Sequence, residues 1–196
     1  MAIITRTSKG SALTYAELDG NFTDLDARTT TAWAMQGVQP DVLAGDPDGP
    51  GLILFSGGIY AYSYPNSQVT QSYANFDVPL QWAPGTDLYA GIHWSPGAAT
   101  LTGTVRFGLE FVGAPLGGVF NSPSTMYFES AADGTAYKHY RGLSAPVSGA
   151  AVSANQRFLI RIFRDGAHVN DTFNGDIFII GIDFYYQVNK FGLQSI

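Results

Sequence analysis

The hydrophobic and polar positions follow two different periods along the chain. Near the N-terminus, Leu18, Phe22 and Leu25 recur at spacings of four and three, which places them on one face of an α-helix. Beyond residue 50, apolar residues alternate with polar or small ones, most clearly over residues 105–111. Such an alternation is typical of β-strands with one buried face. The pattern therefore predicts a short N-terminal helix followed by a β domain.

Eight segments beyond residue 50 predict strands, because each is short, rich in aromatic or β-branched residues, and bounded by turn-forming residues. They are residues 52–55, 59–64, 72–80, 87–94, 102–113, 124–130, 156–166 and 175–188. A series of about eight to ten such strands indicates a mainly β fold, an antiparallel β-sandwich or jelly roll.

The helix has a predicted start and end. Thr14 and Glu17 have the spacing of a capping box, and Leu13 and Leu18 have that of a hydrophobic staple. Helix propensity falls after Arg28, so the helix is expected to end there. Its apolar stripe packs either on the chain's own β domain or on sister chains or a docking partner, and one stripe does not decide between them.

A segment rich in Pro and Gly separates the helix from the β domain. Pro40, Pro47 and Pro50 are incompatible with a continuous helix or a central strand. This segment is therefore predicted to be a linker. The predicted division is an attachment or oligomerisation segment, a linker and a β-sandwich, at residues 1–33, 34–50 and 51–196.

Two predicted strands, 157–164 and 177–188, are apolar on part of both faces. One face fills the core, and the second also needs cover, because exposed strand faces are usually polar. Arg161 and Asp183 lie on that second face, and charges among apolar residues need partners. We therefore predict a subunit interface with a possible Arg161–Asp183 ion pair. The predicted interface residues are Leu159, Arg161, Phe163, Ile179, Asp183 and Tyr185.

Composition excludes several classes of function. The net charge is −6 and the ten Lys and Arg residues are scattered, which disfavours nucleic-acid binding. There is no cysteine, so disulfides and Cys-based metal sites are impossible. No apolar run approaches the roughly 18 residues of a membrane helix, and no membrane insertion is expected. The N-terminus also lacks the apolar core of a signal peptide.

No motif commits the chain to catalysis. His93, His139 and His168 are far apart and lack a metal-ligand spacing, so no metal, cofactor or catalytic residue is expected. Glu110 and Glu129 lie on strands, but chance pairs of acids are common in sandwiches, and a glycosidase pair is disfavoured. The chain is expected not to be an enzyme.

Two further features have competing interpretations. The Asp- and Asn-rich loop 165–176 is a candidate Ca²⁺ site, but its spacing is not that of an EF-hand, and a turn is favoured. Tyr60, Tyr62 and Tyr64 point to one side of a strand. They are candidates for glycan contact, although core or interface filling is the favoured role.

The opening segment resembles the N-terminal motif of many bacteriophage tail-fibre and tail-associated proteins, K-G-x-x-L-T-x-x-E-L-D-x-N-F-x-x-L. The matching residues are Lys9, Gly10, Leu13, Thr14, Glu17, Leu18, Asp19, Asn21, Phe22 and Leu25. Segments 88–111 and 157–187 also resemble a domain of phage structural proteins. The resemblance implies a virion protein whose N-terminal helix attaches it to the particle or to sister chains.

Further expectations follow from this resemblance. It implies a homotrimer in a phage tail or tail fibre that contacts other virion proteins through residues 1–33. The chain would be made in the host bacterial cytoplasm and located in the virion. The alternatives are a head fibre or decoration protein on the capsid, and a module that binds host surface polysaccharide.

Overall fold

The computed structural model describes residues 9–29, 31–43 and 45–189. Their elements include an α-helix, ten β-strands and a 3₁₀ turn at Gly149–Ala151. The elements are α1 (Tyr15–Thr29), β1 (Thr31–Val38), β2 (Gly51–Ser56), β3 (Ile59–Tyr64), β4 (Val69–Asp77), β5 (Tyr89–Ser95), β6 (Thr102–Ala114), β7 (Ser124–Asp133), β8 (Tyr140–Leu143), β9 (Arg157–Asp165) and β10 (Ile177–Asn189). The predicted mainly β fold is confirmed.

The strands form two antiparallel sheets. Sheet A has the order β2-β3-β10-β5-β8, and sheet B has the order β4-β9-β6-β7. Strand β10 is long enough to pair with two neighbours along one edge, β3 at its start and β1 over the rest. Its other edge pairs with β5. This arrangement confirms the predicted sandwich with a short N-terminal helix.

The hydrophobic core lies between the two sheets. On β9 the inward side chains are Phe158, Ile160 and Ile162, as the alternation predicted. Across the core, the rings of Phe76 in sheet B and Phe184 in sheet A stack with 4.2 Å between their centroids. Inward-facing apolar side chains of both sheets thus interdigitate, as in other sandwiches.

Strand β1 corrects the predicted linker. Residues 31–38 pair with β10 along eight register positions, so the boundary between residues 33 and 34 falls inside a strand. The pattern concealed this strand because its inward positions include the small Ala34, while Trp33 and Met35 point outward. The helix ends at Thr29, close to the predicted end.

A β-bulge in β10 corrects the predicted faces of that strand. The register with β5 shifts between Ile179 and Gly181, which inserts one extra residue. Ile177 and Ile179 face the core before the bulge, and Ile182 faces it afterwards. Ile179 is therefore a core residue, and its predicted place on the outer face with Asp183 was wrong.

The predicted interface residues lie on opposite sides of the sandwich. Leu159 and Arg161 are on the outer face of sheet B, whereas Asp183 and Tyr185 are on the outer face of sheet A. Arg161 pairs with Glu110 at 3.2 Å, so no Arg161–Asp183 pair forms within the chain. The set does not make one continuous surface, and a subunit-interface role for either half stays a prediction.

Phe163 shows how the chain covers an outer-face apolar residue by itself. Its ring lies over Gly108, where an added Cβ would be 2.0 Å from the ring. The Tyr127 ring meets it edge-on at 5.8 Å, and the Arg161 guanidinium lies 4.4 Å from its centroid. Phe163 is therefore buried without a second subunit, which removes one reason for predicting an interface there.

The predicted capping box is present at the start of α1. The Thr14 N–H donates to Glu17 Oε2 at 2.7 Å, and the Glu17 N–H donates to Thr14 Oγ1 at 3.3 Å. Lys9 adds an ion pair with Glu17.

In the described part of the chain, no helix combines the length and apolar character needed to cross a membrane.

The apolar side of α1 is left largely open by the described residues. Leu18 is 37% exposed and Phe22 is 68% exposed, while Leu13 is partly buried. The side chain of Leu25 lies outside the described residues. The sandwich therefore does not cover the Phe22 ring, and a role of this helix in attachment or oligomerisation stays a prediction.

Candidate functional site

Four strands of sheet A build one outer face. The register places Met35 of β1, Tyr185 of β10 and Tyr89 of β5 in one row across the sheet. The next row contains Asp183 of β10 and Gly91 of β5. An added Cβ on Gly91 would be 2.9 Å from the Tyr185 ring, so glycine allows this ring to lie close to the sheet.

An aromatic groove lies on this face, lined by Trp33, Tyr89, Arg141, Leu143 and Tyr185. Its volume is about 270 Å³, near the lower end of the roughly 300–1,000 Å³ typical of ligand pockets. Trp33 is 60% exposed, and its ring centroid is 5.8 Å from that of Tyr89. The groove thus offers flat apolar ring surfaces to solvent.

A chain of polar groups runs beside the aromatic groove. Arg141 Nη1 donates to the Tyr185 hydroxyl at 3.0 Å, and this hydroxyl donates to Asp183 Oδ2 at 3.2 Å. His93 Nε2 lies 2.6 Å from the same Asp183 oxygen, without the alignment of a hydrogen bond. His93 Nδ1 is 2.7 Å from His139 Nε2. Donors and acceptors therefore lie next to the aromatic surfaces.

The structure brings together two of the three histidines that are distant in sequence. His93 and His139 meet beside Asp183, whereas His168 accepts a hydrogen bond from the Asn170 N–H in its own loop. Among the described residues, no group of three His, Asp or Glu side chains has the arrangement of a metal site.

The three tyrosines of β3 differ in burial, because the strand runs from solvent into the core. Tyr60 is 60% exposed, Tyr62 is partly buried, and Tyr64 is 0% exposed. The Tyr64 hydroxyl donates to Ser72 Oγ at 2.8 Å, and burial raises the pKa of Tyr64 to about 12. Tyr64 is therefore a core residue and not a glycan contact; for Tyr60 and Tyr62, glycan contact stays a prediction.

The candidate acid pair is engaged by arginines on the outer face of sheet B. Glu110 pairs with Arg161 at 3.2 Å, and Glu129 pairs with Arg106 at 2.8 Å. Asn170 also donates to Glu129 at 3.1 Å. Both carboxylates are therefore engaged in ion pairs on the surface of the sheet. This arrangement does not resemble a catalytic pair, which needs a free acid.

The acidic loop 165–176 is likewise held by arginines. Asp171 forms a completely buried ion pair with Arg164 at 2.7 Å. Asp165 lies 3.3 Å from Arg106, and Asp176 accepts a long hydrogen bond of 3.5 Å from Ser63. These partners favour the structural interpretation of the loop over a Ca²⁺ site.

A larger cavity of about 480 Å³ lies on the outer face of sheet B, beside Asp41, Leu43 and Leu159. Arg161 in its wall is bonded to Gln71 and Glu110, and the Tyr73 hydroxyl donates to Asp46 at 3.1 Å. Arg161 and Tyr73 are thus already bonded to neighbouring side chains. The candidate site lies on sheet A, because its aromatic rings are exposed to solvent and its polar groups can form further hydrogen bonds.

The aromatic groove is not evident from the amino-acid sequence. Trp33 was placed at the end of the helical segment, and Arg141 belonged to no predicted strand. The signal that was available is the alternation of Tyr89, Gly91 and His93 along β5, opposite the buried Trp94. Their partners on three other strands are known only from the sheet register.

No protein-family model matches the chain, and no curated protein does. Among solved structures, the chain is similar to CBM28, a non-crystalline cellulose specific carbohydrate-binding module, at 15% identity and a TM-score of 0.36, covering 71% of this chain and 84% of that one. It is also similar to TmCBM27, a carbohydrate-binding module with specific mannan recognition, at 16% identity and a TM-score of 0.32. The match covers 83% of this chain and 91% of that one.

A third similar structure is a family 35 carbohydrate binding module from Clostridium thermocellum, at 14% identity and a TM-score of 0.31, covering 78% of this chain and 90% of that one. TM-scores and identities of this size identify neither a common family nor a common ligand.

Proposed function

We propose that this chain is a non-catalytic β-sandwich that binds carbohydrate in the aromatic groove of sheet A. The observation behind the proposal is the exposed Trp33 ring beside Tyr89 and Tyr185, in a groove whose wall also contains Arg141. Concave surfaces lined by aromatic side chains and a few polar groups are typical of ligand-binding sites.

The chemistry of a sugar matches the two parts of this site. A pyranose ring has an apolar C–H face and a rim of hydroxyl groups. The face packs against an aromatic ring, and the hydroxyls bond to neighbouring polar groups. Trp33 and Tyr89 supply the rings, while Arg141 supplies donors and Asp183 supplies acceptors.

The test is affinity electrophoresis of the full chain in gels that contain soluble polysaccharides, including those purified from bacterial cell surfaces. We expect at least one polysaccharide to retard the chain. Trp33→Ala should weaken that binding by about tenfold or more, since buried aromatic contacts are the usual hot spots. Failure of every polysaccharide to bind would overturn the proposal.

Tyr60→Ala tests the competing hairpin site, because Tyr60 is also 60% exposed but lies on the β2–β3 hairpin. We expect it to bind like the unchanged chain. Loss of binding in Tyr60→Ala with retention in Trp33→Ala would move the site to the hairpin tyrosines.

We further propose that α1 attaches the sandwich to a phage virion or to sister chains, in a homotrimer of the tail or a fibre or on the capsid. The observation that favours this is the capped helix whose Leu18 and Phe22 stay exposed. Isolated helices of this length are marginal in water, so an exposed apolar side indicates a partner.

This second proposal is tested by incorporation into particles. A Leu18→Ser, Phe22→Ser double variant should fold normally, because both side chains are exposed, but should be missing from purified virions analysed by mass spectrometry. The Ala16→Ser variant is the control, since Ala16 is also exposed but lies on the opposite side of the helix from Leu18 and Phe22. Absence of the unchanged chain from virions would contradict the proposal.

A further inference from the structure

Arg141 differs from the other arginines of the sandwich in its partners. Arg106, Arg157, Arg161 and Arg164 each form an ion pair with a carboxylate. Arg141 forms none with any residue that the structure describes. It is the arginine that lines the aromatic groove.

The guanidinium of Arg141 is held in place by Tyr185. It lies 5.3 Å from the centroid of the Tyr185 ring, and Nη1 donates to the Tyr185 hydroxyl at 3.0 Å. That hydroxyl donates onward to Asp183, so it is oriented to accept from Arg141. One hydrogen bond leaves most of the five guanidinium N–H donors open to a ligand.

The surroundings strengthen the attraction of this cation for an anion. Trp33, Tyr89, Leu143 and Tyr185 form the rest of the groove, and apolar walls lower the local dielectric. Asp183 is the carboxylate on the same face, but it contacts His93 and Tyr185 and makes no ion pair with Arg141. The positive charge of Arg141 is therefore not neutralised within the described residues.

We infer that the aromatic groove binds an acidic sugar, with the ring against Trp33 and Tyr89 and the sugar carboxylate on Arg141. This inference rests on the proposed carbohydrate binding and narrows its ligand to uronate-containing polysaccharides. The planar fork of arginine fits a carboxylate with two parallel hydrogen bonds, which a neutral hydroxymethyl group does not offer.

Matched polysaccharide pairs test this inference with the full chain. Polygalacturonate, alginate and hyaluronan are compared with their carboxyl-reduced forms, which differ only in having a hydroxymethyl group in place of each carboxylate. Neutral xylan, mannan and hydroxyethylcellulose are measured beside them by titration calorimetry. We expect at least one acidic form to bind about ten- to a hundredfold more tightly than its reduced form.

Variants test whether Arg141 causes the preference for the acidic polysaccharide. Arg141→Gln should bind the acidic and reduced forms equally, and Arg141→Lys should keep part of the preference, because it retains the charge without the fork. Arg157→Gln is the matched control on the opposite sheet, since Arg157 pairs with Asp77 at an exposed site, and it should keep the full preference. Thermal melts confirm that each variant is folded.

The outcomes separate this inference from the proposed function. Equal binding of acidic and reduced forms, binding of neutral polysaccharides only, or a preference that survives in Arg141→Gln would overturn the acidic-sugar inference. Binding that remains sensitive to Trp33→Ala would still support the carbohydrate site in those cases. Absence of binding to every polysaccharide would overturn both.

Discussion

Arg164 is the charged side chain on which the packing of the sandwich most depends. It is 0% exposed, and its guanidinium donates two hydrogen bonds to Asp171, at 2.9 and 2.7 Å. Three further bonds go to the carbonyls of Tyr64, Gly175 and Phe173, at 2.9, 2.6 and 2.7 Å. All five donors are used, so the side chain ties the loop after β9 to both sheets.

Replacing Arg164 with Met should destabilise the chain strongly, because Asp171 would be left buried without its partner. We expect the free energy of unfolding to fall by about 3–5 kcal/mol, measured by urea denaturation. Arg157→Met is the control, since the Arg157–Asp77 pair is more than half exposed and such solvent-screened pairs add little to stability. Similar losses in both variants would contradict this account.

Single residues were predictable where the strand period was regular. Phe158, Ile160 and Ile162 were placed on the inward face correctly, and Arg164 continues that phase. The pattern does not show that a charge at an inward position is paired, because its partner Asp171 comes from a loop that was interpreted as a turn. Burial of a charge depends on this tertiary partner and not on the local sequence.

At the scale of elements, the N-terminal cap of α1 has a defined dependence on pH. Hydrogen bonds from the Lys9 side chain, and then from the Thr14 N–H, lower the pKa of Glu17 from 4.5 to about 2. A carboxyl group whose pKa is lowered in the folded state stabilises that state at pH values above the ordinary pKa of the group. The contribution of the cap is therefore complete above about pH 4.5 and is lost as the pH falls through about 2.

An NMR titration of the Glu17 carboxyl measures this effect directly. We expect its midpoint near pH 2, and the Thr14 amide, which donates to Glu17, should shift with the same midpoint. Lys9→Gln removes the largest cause of the lowered pKa and should move the midpoint toward 4.5. A midpoint near 4.5 in the unchanged chain would show that the capping box is not formed in solution.

The elements that the hydrophobic pattern did not predict share a physical cause. Strand β1 has Ala34 inward and Trp33 outward, which inverts the usual pattern. Strand β8 is four residues long, too short for an alternation to show. The bulge after Ile179 breaks the period of two within one strand. Each feature is set by pairing with a neighbouring strand, and local periodicity does not contain that information.

At the scale of the whole molecule, the aromatic groove combines residues from positions 33 to 185 of the chain. Trp33, Tyr89, Arg141 and Tyr185 come from β1, β5, β8 and β10, and only the order of strands in sheet A makes them neighbours. The sequence predicted the sandwich and surface aromatics as candidates for glycan contact. It did not predict which aromatics share a face, because strand order depends on the complete fold.

Because β1 belongs to the sandwich, a truncation that separates the helix from the sandwich has to begin before β1. A chain that begins at residue 30 removes α1 and keeps β1. A chain that begins at Gly51 removes β1 as well, which exposes the paired edge of β10 along eight register positions. It also removes Trp33 from the groove and Ala34 and Val38 from the edge of the core.

Thermal melts and light scattering of these two shortened chains, beside the full chain, test this division. The chain from residue 30 should melt within a few degrees of the full chain, because the described side chains of α1, residues 15–22, are mostly exposed and absent from the core. The chain from Gly51 should melt much lower, and it should also lose carbohydrate binding.

We expect the full chain to have the mass of a trimer and the chain from residue 30 that of a monomer, since the exposed Leu18 and Phe22 are then gone. A trimer that persists without α1 would place the subunit contact on the sandwich instead.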